Sequence, residues 1–257
     1  MSIVKGGKLQ SLMTSFPKGT VLTAEFLREQ GFNAQLIARY KRSRWLEPLG
    51  NGAYRRQGDN VNWQGGLAAL QQQLKLDIHC GARTALESQG YGHYVALSSR
   101  TIYLFGPPGQ KLPKWFRDYG WNLKVIYRMT SLFPPSGLEQ SYLDLPANDF
   151  TIRMSSPERA AMEMLYLVPF EQSFDEAEHI MEALLTLRPV LVQKLLETCN
   201  SIKVKRIFMF MAEKFGLPWV KQLDLRKINF GKGDRTVVKG GRLDPKYKIT
   251  VPRSGAG

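Results

Sequence analysis

Leu9, Leu12, Met13 and Phe16 recur at helical spacing along the first segment, and Pro17-Lys18-Gly19 closes the element they define. Thr23 is placed to cap a second helix, with Phe26 and Leu27 turned inward and Gly31 as its stop. The residue three after Thr23 is Phe26, so the cap lacks the reciprocal Glu or Gln of a capping box. Asn33 can cap a third helix running to about Ser43, so only Gly31-Phe32-Asn33 separates the two helices. A short glycine-containing turn of this kind is the helix-turn-helix signature. Trp45-Leu46 and Ala53-Tyr54-Arg55-Arg56 then flank Asn51-Gly52, a strong local hairpin signal. Three helices followed by a hairpin predict an N-terminal winged helix-turn-helix over residues 1–60.

The pattern changes after the polar stretch Gln57-Gly58-Asp59-Asn60. Leu67, Leu70 and Leu74 predict an amphipathic helix, Ile78-His79-Cys80 a short strand, and Arg83 to Gln89 a short helix ending at Gly90. Tyr94-Val95-Ala96-Leu97 and Thr101-Ile102-Tyr103-Leu104-Phe105 predict paired strands, and Leu123 to Tyr127 another. Gly106-Pro107-Pro108-Gly109 reads as a rigid turn between strands. From Pro157 onward helices dominate, over Pro157–Val168, Phe174–Leu187, Pro189–Cys199 and Val204–Phe215. The leucines at 184, 187, 191, 195 and 196 are read as core. The expected class is α+β. A second domain at 61–257 is divided into a mixed α/β part at 61–150 and a mainly helical part at 151–257 with a basic C-terminal end.

Charge sharpens this division. The chain carries 36 basic and 22 acidic residues among 257, a net charge of +14. Residues 1–60 hold 10 basic and 4 acidic residues, residues 61–200 hold 12 and 14, and residues 201–257 hold 14 and 4. Basic ends around a nearly neutral middle point to anionic partners, nucleic acid first. No apolar run reaches the ~18 residues of a membrane span, and no secretory signal is visible. A cytoplasmic protein without a membrane partner is expected. Cys80 and Cys199 are the only cysteines, and both are expected to be reduced and buried.

The third predicted helix carries the candidate chemistry. At 100° per residue, Leu36, Ile37 and Tyr40 fall on one side and Gln35, Ala38, Arg39 and Arg42 on the other, with Lys41 at the margin and Arg44 just beyond the end. In a helix-turn-helix the outward face enters the major groove, where Arg grips guanine, Gln grips adenine and a small Ala38 permits close approach. Arg55 and Arg56 sit where a wing would meet phosphate or the minor groove. The alternative is a solvated basic face on a protein-binding module. A secondary basic surface is expected from Lys203, Lys205, Arg206, Lys239 and Arg242, open to DNA, RNA or an acidic protein.

Enzyme signals are weak. His79, His93 and His179 are far apart in sequence, and no Cys/His pair has zinc spacing. Gly106 to Lys111 lacks phosphate-loop spacing, and its prolines remove backbone donors. Glu158 with Glu163, and Asp175 with Glu176 and Glu178, read as exposed helix faces. No catalytic residue, metal or cofactor is expected.

Short motifs in order along nearly the whole chain resemble the AbiEi family, antitoxins of type IV toxin–antitoxin systems. They begin with Gly50-Asn51-Gly52-Ala53-Tyr54, Leu67-Ala68-Ala69-Leu70-Gln71, Tyr103-Leu104-Phe105 and Leu112-Pro113-Lys114-Trp115. They continue with Ser156-Pro157-Glu158-Arg159-Ala160, Leu187-Arg188-Pro189 and Lys203-Val204-Lys205-Arg206. They end with Gly240 to Asp244 and Tyr247 to Pro252. The resemblance implies an N-terminal domain that represses its own operon at inverted or direct promoter repeats. It also implies a C-terminal domain that counters a nucleotidyltransferase-type toxin without a stable complex. Two other readings stay open at this level: a ligand-sensing winged-helix transcription factor, and a nucleic-acid-processing enzyme with a winged-helix docking module.

Overall fold

A computed structural model describes residues 5–91 and 101–253. The expected strand at 94–97 and His93 lie outside the described residues. The N-terminal elements are α1 (Lys5–Thr14), β1 (Leu22–Thr23), α2 (Ala24–Glu29), α3 (Ala34–Arg42), β2 (Leu46–Gly50) and β3 (Ala53–Arg56). There follow α4 (Trp63–Ala68), β4 (His79–Cys80), α5 (Ala82–Ser88), β5 (Thr101–Gly106), α6 (Lys114–Asp118), β6 (Lys124–Met129), β7 (Tyr142–Ala147) and β8 (Phe150–Ser155). The remainder is α7 (Pro157–Leu167), α8 (Phe174–Glu182), α9 (Pro189–Thr198), α10 (Ile202–Lys214), β9 (Arg242–Asp244) and β10 (Ile249–Val251). The class is α+β, with sheets ordered β1-β3-β2, β10-β9 and β6-β5-β4-β8-β7.

Two compact units emerge, each assembled from separate stretches of sequence. The first combines Met1–His79, Gly106–Met129 and Asp144–Arg153, and the second Cys80–Phe105, Thr130–Leu143 and Met154–Gly257. The first unit thus runs past residue 60, where a domain boundary was expected. Val21 and Thr23 explain why. The Thr23 amide donates to Oε1 of Gln73 at 2.9 Å, and Nε2 of Gln73 donates to the Val21 carbonyl at 2.6 Å. Gly65 is equally committed, because a Cβ there would stand 1.9 Å from the carbonyl oxygen of Gly19.

In the first unit, α2 has six residues, too few to hold a helix by itself. Its support comes from burial of Leu27 and from the Thr23 hydroxyl, which accepts from the Phe26 amide at 3.2 Å. Such a cap is worth about 1 kcal/mol. Thr23 also pairs with Ala53 across β1 and β3. Leu12, Leu22, Leu27, Phe32, Ile37, Tyr40, Leu46 and Tyr54 form the core beneath these elements. The expected helix at Leu67–Leu74 begins as α4 and continues as a π-helical turn over Ala69–Gln73. The Gly106–Gly109 turn leads into α6, not into a strand, and the Gln110 amide closes it on the Pro107 carbonyl at 3.3 Å.

In the second unit, α7 packs against α5, α8, α9 and α10. Here the expectation of exposed carboxylates at Glu158 and Glu163 is corrected. Both are buried, 2% and 1% exposed. Charges so placed need partners, and they have them. Arg188 grips Glu158 through Nε and Nη2, each at 2.9 Å. Glu163 accepts from Nε of Arg159 at 2.8 Å and from the Ser155 hydroxyl at 2.7 Å. Asp175 and Glu176 are exposed as expected, while Glu178 pairs with Lys214 at 2.7 Å.

Candidate nucleic-acid interface

The turn into α3 is tightly determined. Gly31 takes a left-handed φ of +79°, a conformation glycine adopts without strain, and its carbonyl accepts from the Lys8 ammonium. Phe32 is buried, and the Asn33 side chain accepts from the Leu36 amide at 2.8 Å, capping α3 as the sequence predicts. Ile37 and Tyr40 are buried against the core. At the far end the Ser43 amide donates to the Arg39 carbonyl at 3.0 Å, and Arg44 leaves the helix with φ +59°. Nothing in this packing uses the outer face. Gln35, Ala38, Arg39, Lys41, Arg42 and Arg44 are all exposed, and basic residues fill the last turn of the helix.

The hairpin stands beside this helix. β2 pairs antiparallel with β3, Gly52 takes φ +76° in the connecting turn, and the Lys41 ammonium lies 5.7 Å from the centre of the Tyr54 ring. Arg55 is partly exposed, but its guanidinium is held by Glu47 across the strands at 2.7 Å.

Arg56 is not a contact residue, and its expected role is corrected. It is 2% exposed. Its guanidinium donates to the carbonyls of Met13 at 3.0 Å, Phe16 at 2.8 Å and Pro17 at 2.9 Å, and pairs with Asp59 at 2.9 Å. It fastens the end of α1, whose last carbonyls lack helical partners. Alternation along β3 carried the signal: Arg56 falls on the side of Tyr54, opposite Arg55.

The secondary basic surface also breaks up. Lys205 and Arg206 are 3% and 2% exposed. Lys203 donates to the carbonyls of Tyr166 at 2.9 Å and Val168 at 2.6 Å, and Lys205 to that of Asn229 at 3.2 Å. Burial lowers the pKa of all three, with the charge of Arg235 adding to the effect at Arg206. Lys239 and Arg242 are exposed.

Both cysteines are buried and free. Burial raises both thiol pKa values, that of Cys199 to about 11, so neither is a nucleophile at neutral pH. Among the described residues no group of three or more His, Cys, Asp or Glu is placed to hold a metal ion. No helix among them is long and apolar enough to cross a membrane.

Comparison with known families places this α+β chain, with its capped basic helix beside a hairpin, in a class of transcriptional regulators. The N-terminal domain model of the AbiEi antitoxin transcriptional regulators matches residues 5–97, and the model described as "Transcriptional regulator, AbiEi antitoxin, Type IV TA system" matches residues 99–252. The chain belongs to the AbiEi antitoxin family. Among solved structures it is similar to the RV2827C protein from Mycobacterium tuberculosis, with a TM-score of 0.61 and 16% identity over 93% of this chain and 88% of the other. At that identity the likeness concerns the fold. No curated protein matches the chain.

Proposed function

We propose that the N-terminal elements work as a winged helix-turn-helix that represses the operon encoding the protein, and that the protein counters a nucleotidyltransferase-type toxin from the same operon. The observation that carries the DNA-binding half is the sorting of α3. Ile37 and Tyr40 hold it to the core, while Gln35, Ala38, Arg39 and Arg42 face solvent and make none of the packing contacts. An exposed Arg face on a rigid helix after a three-residue turn is what reading base edges requires. Lys41 and Arg44 flank that face, and Arg55 supplies a phosphate contact from the wing. Membership of the antitoxin family supports the second half.

The test is the affinity of the full chain for its own promoter against scrambled DNA. Arg39→Ala and Arg42→Ala remove exposed side chains, so the fold should persist, while each is expected to weaken specific binding by roughly 1–3 kcal/mol. Undiminished promoter binding by the folded double variant would reject α3 as the reading helix.

A further inference from the structure

The burial that removes Arg206 from the expected basic surface makes it part of a cavity instead. The cavity measures about 450 Å³ and lies within the second unit, lined by Arg206, Phe230, Lys232, Lys246, Tyr247 and Lys248 among others. That is the size of a small-molecule site rather than of an extended groove for a strand. Its charge is one-signed, with no carboxylate among the lining residues. Lys246 is matched by Glu213 at 2.6 Å. Lys232 and Lys248 are exposed and have no ion-pair partner among the described residues.

Arg206 makes this a built site. Its Nε donates to the Phe230 carbonyl at 2.8 Å, and Nη1 donates to the carbonyls of Gly233 at 2.6 Å and Lys248 at 3.1 Å. One buried guanidinium therefore holds both segments that carry the free lysines. It forms no ion pair among the described residues, and although the Asp234 carboxylate acts on it from one side, the Arg235 charge offsets that, so an anion entering the cavity meets a net positive field. The remaining wall is apolar, with Leu225 and the Phe230 and Tyr247 rings, the two rings edge to face at 5.8 Å. A bare inorganic anion has no use for that wall. A polyanion carrying a flat ring uses both halves.

We propose that this cavity binds a nucleoside di- or triphosphate, with Lys232 and Lys248 on the phosphates and the Phe230 and Tyr247 rings against the base. Arg206 acts as a positioning residue that fixes the two lysine-bearing segments. This goes beyond promoter binding and does not depend on it.

The experiment is calorimetric titration of the full chain with ATP, GTP, CTP and UTP, beside tripolyphosphate and adenosine. At least one nucleotide should saturate a single site, with tripolyphosphate and adenosine each at least about tenfold weaker. Lys232→Glu with Lys248→Glu alters exposed side chains, so thermal stability should hold while nucleotide affinity falls by about tenfold or more. The Arg39→Ala/Arg42→Ala protein should bind the nucleotide as its parent does. The proposal is overturned if no nucleotide saturates, or if the folded lysine variant binds undiminished. It is equally overturned if tripolyphosphate matches the nucleotide, or if binding is lost in the α3 variant. Single-stranded RNA that needs the same lysines and is not displaced by nucleotide would assign the cavity to RNA instead.

Discussion

Nη2 of Arg56 lies 2.9 Å from Oδ2 of Asp59, an ion pair at which the arginine side chain is 2% exposed and the aspartate 12%. The same carboxylate accepts from the Gly19 amide at 3.2 Å, so one aspartate and one arginine gather the end of α1, the following turn and the end of β3. Truncating Arg56 strips several carbonyls and a carboxylate of their donor at once. Breaking a buried pair on one side costs about 3–5 kcal/mol, against almost nothing for an exposed one. Arg56→Ala is therefore expected to lower the urea midpoint sharply. Wild-type stability in Arg56→Ala would show that the clamp is dispensable.

Arg55, one residue earlier, should behave in the opposite way. It is about as exposed as its partner Glu47, and that pair must open before the guanidinium can serve a phosphate. Arg55→Ala should weaken specific and non-specific DNA binding alike and reduce the slope of log affinity against log salt by about one. Glu47→Gln removes the competitor and should tighten non-specific binding at low salt. Filter binding over a salt series checks both, and a loss confined to the promoter would move Arg55 from phosphate to base contact.

How much was legible follows from which interactions are local. Asn33, Leu36, Ile37 and Tyr40 lie within two turns of one helix, so spacing alone placed the cap and the buried face. The hairpin turn at Asn51-Gly52 was equally local. Arg56 reads as a surface cation because the carbonyls of Met13, Phe16 and Pro17 that it serves lie 39 to 43 residues away, though strand alternation already points it inward. Lys205 and Arg206 sit among Val204, Ile207, Phe208 and Met209 on a helix buried nearly all round, yet a run of cations reads as surface unless the carbonyls of residues 229–248 are known to wait for it. The β7–β8 hairpin went unseen because its turn uses Asn148 at φ +55° rather than glycine. β1 has two residues, too few for any pattern.

Glu158 and Arg188 predict an acid-sensitive core. Burial pushes the Glu158 carboxyl up, but hydrogen bonds from the side chain and amide of Arg188 outweigh it, with the Ser156 side chain and the Glu158 amide adding smaller effects in the same direction, and the group titrates below the ordinary carboxylate range. A carboxylate whose folded pKa is depressed stabilises the fold above its unfolded value of about 4.3, and that contribution is lost as pH falls through the folded pKa. Glu158→Gln should therefore be clearly less stable than the parent near neutrality, with the gap closing below about pH 4.3. Denaturant midpoints across an acid series measure the gap. A gap of constant size would mean that the ionised carboxylate contributes nothing.

Repression and antitoxicity should separate, but by point substitution rather than by a cut. The first unit draws on three stretches of sequence, so a fragment beginning at residue 66 would leave Gln73 without Val21 and Thr23 and would carry 106–129 and 144–153 without the N-terminal core. Such a fragment exposes apolar surface, and its failure would say nothing about function. Arg39→Ala with Arg42→Ala avoids this, because both side chains are exposed and neither belongs to the core cluster. The double variant is expected to lose repression of a reporter placed behind the operon's promoter. When co-expressed with the toxin of that operon, it should still protect cells to the extent the parent does at matched protein levels. Loss of protection together with repression, in a variant that accumulates and melts like the parent, would mean that α3 takes part in neutralisation itself, and the division of labour proposed here would have to be abandoned.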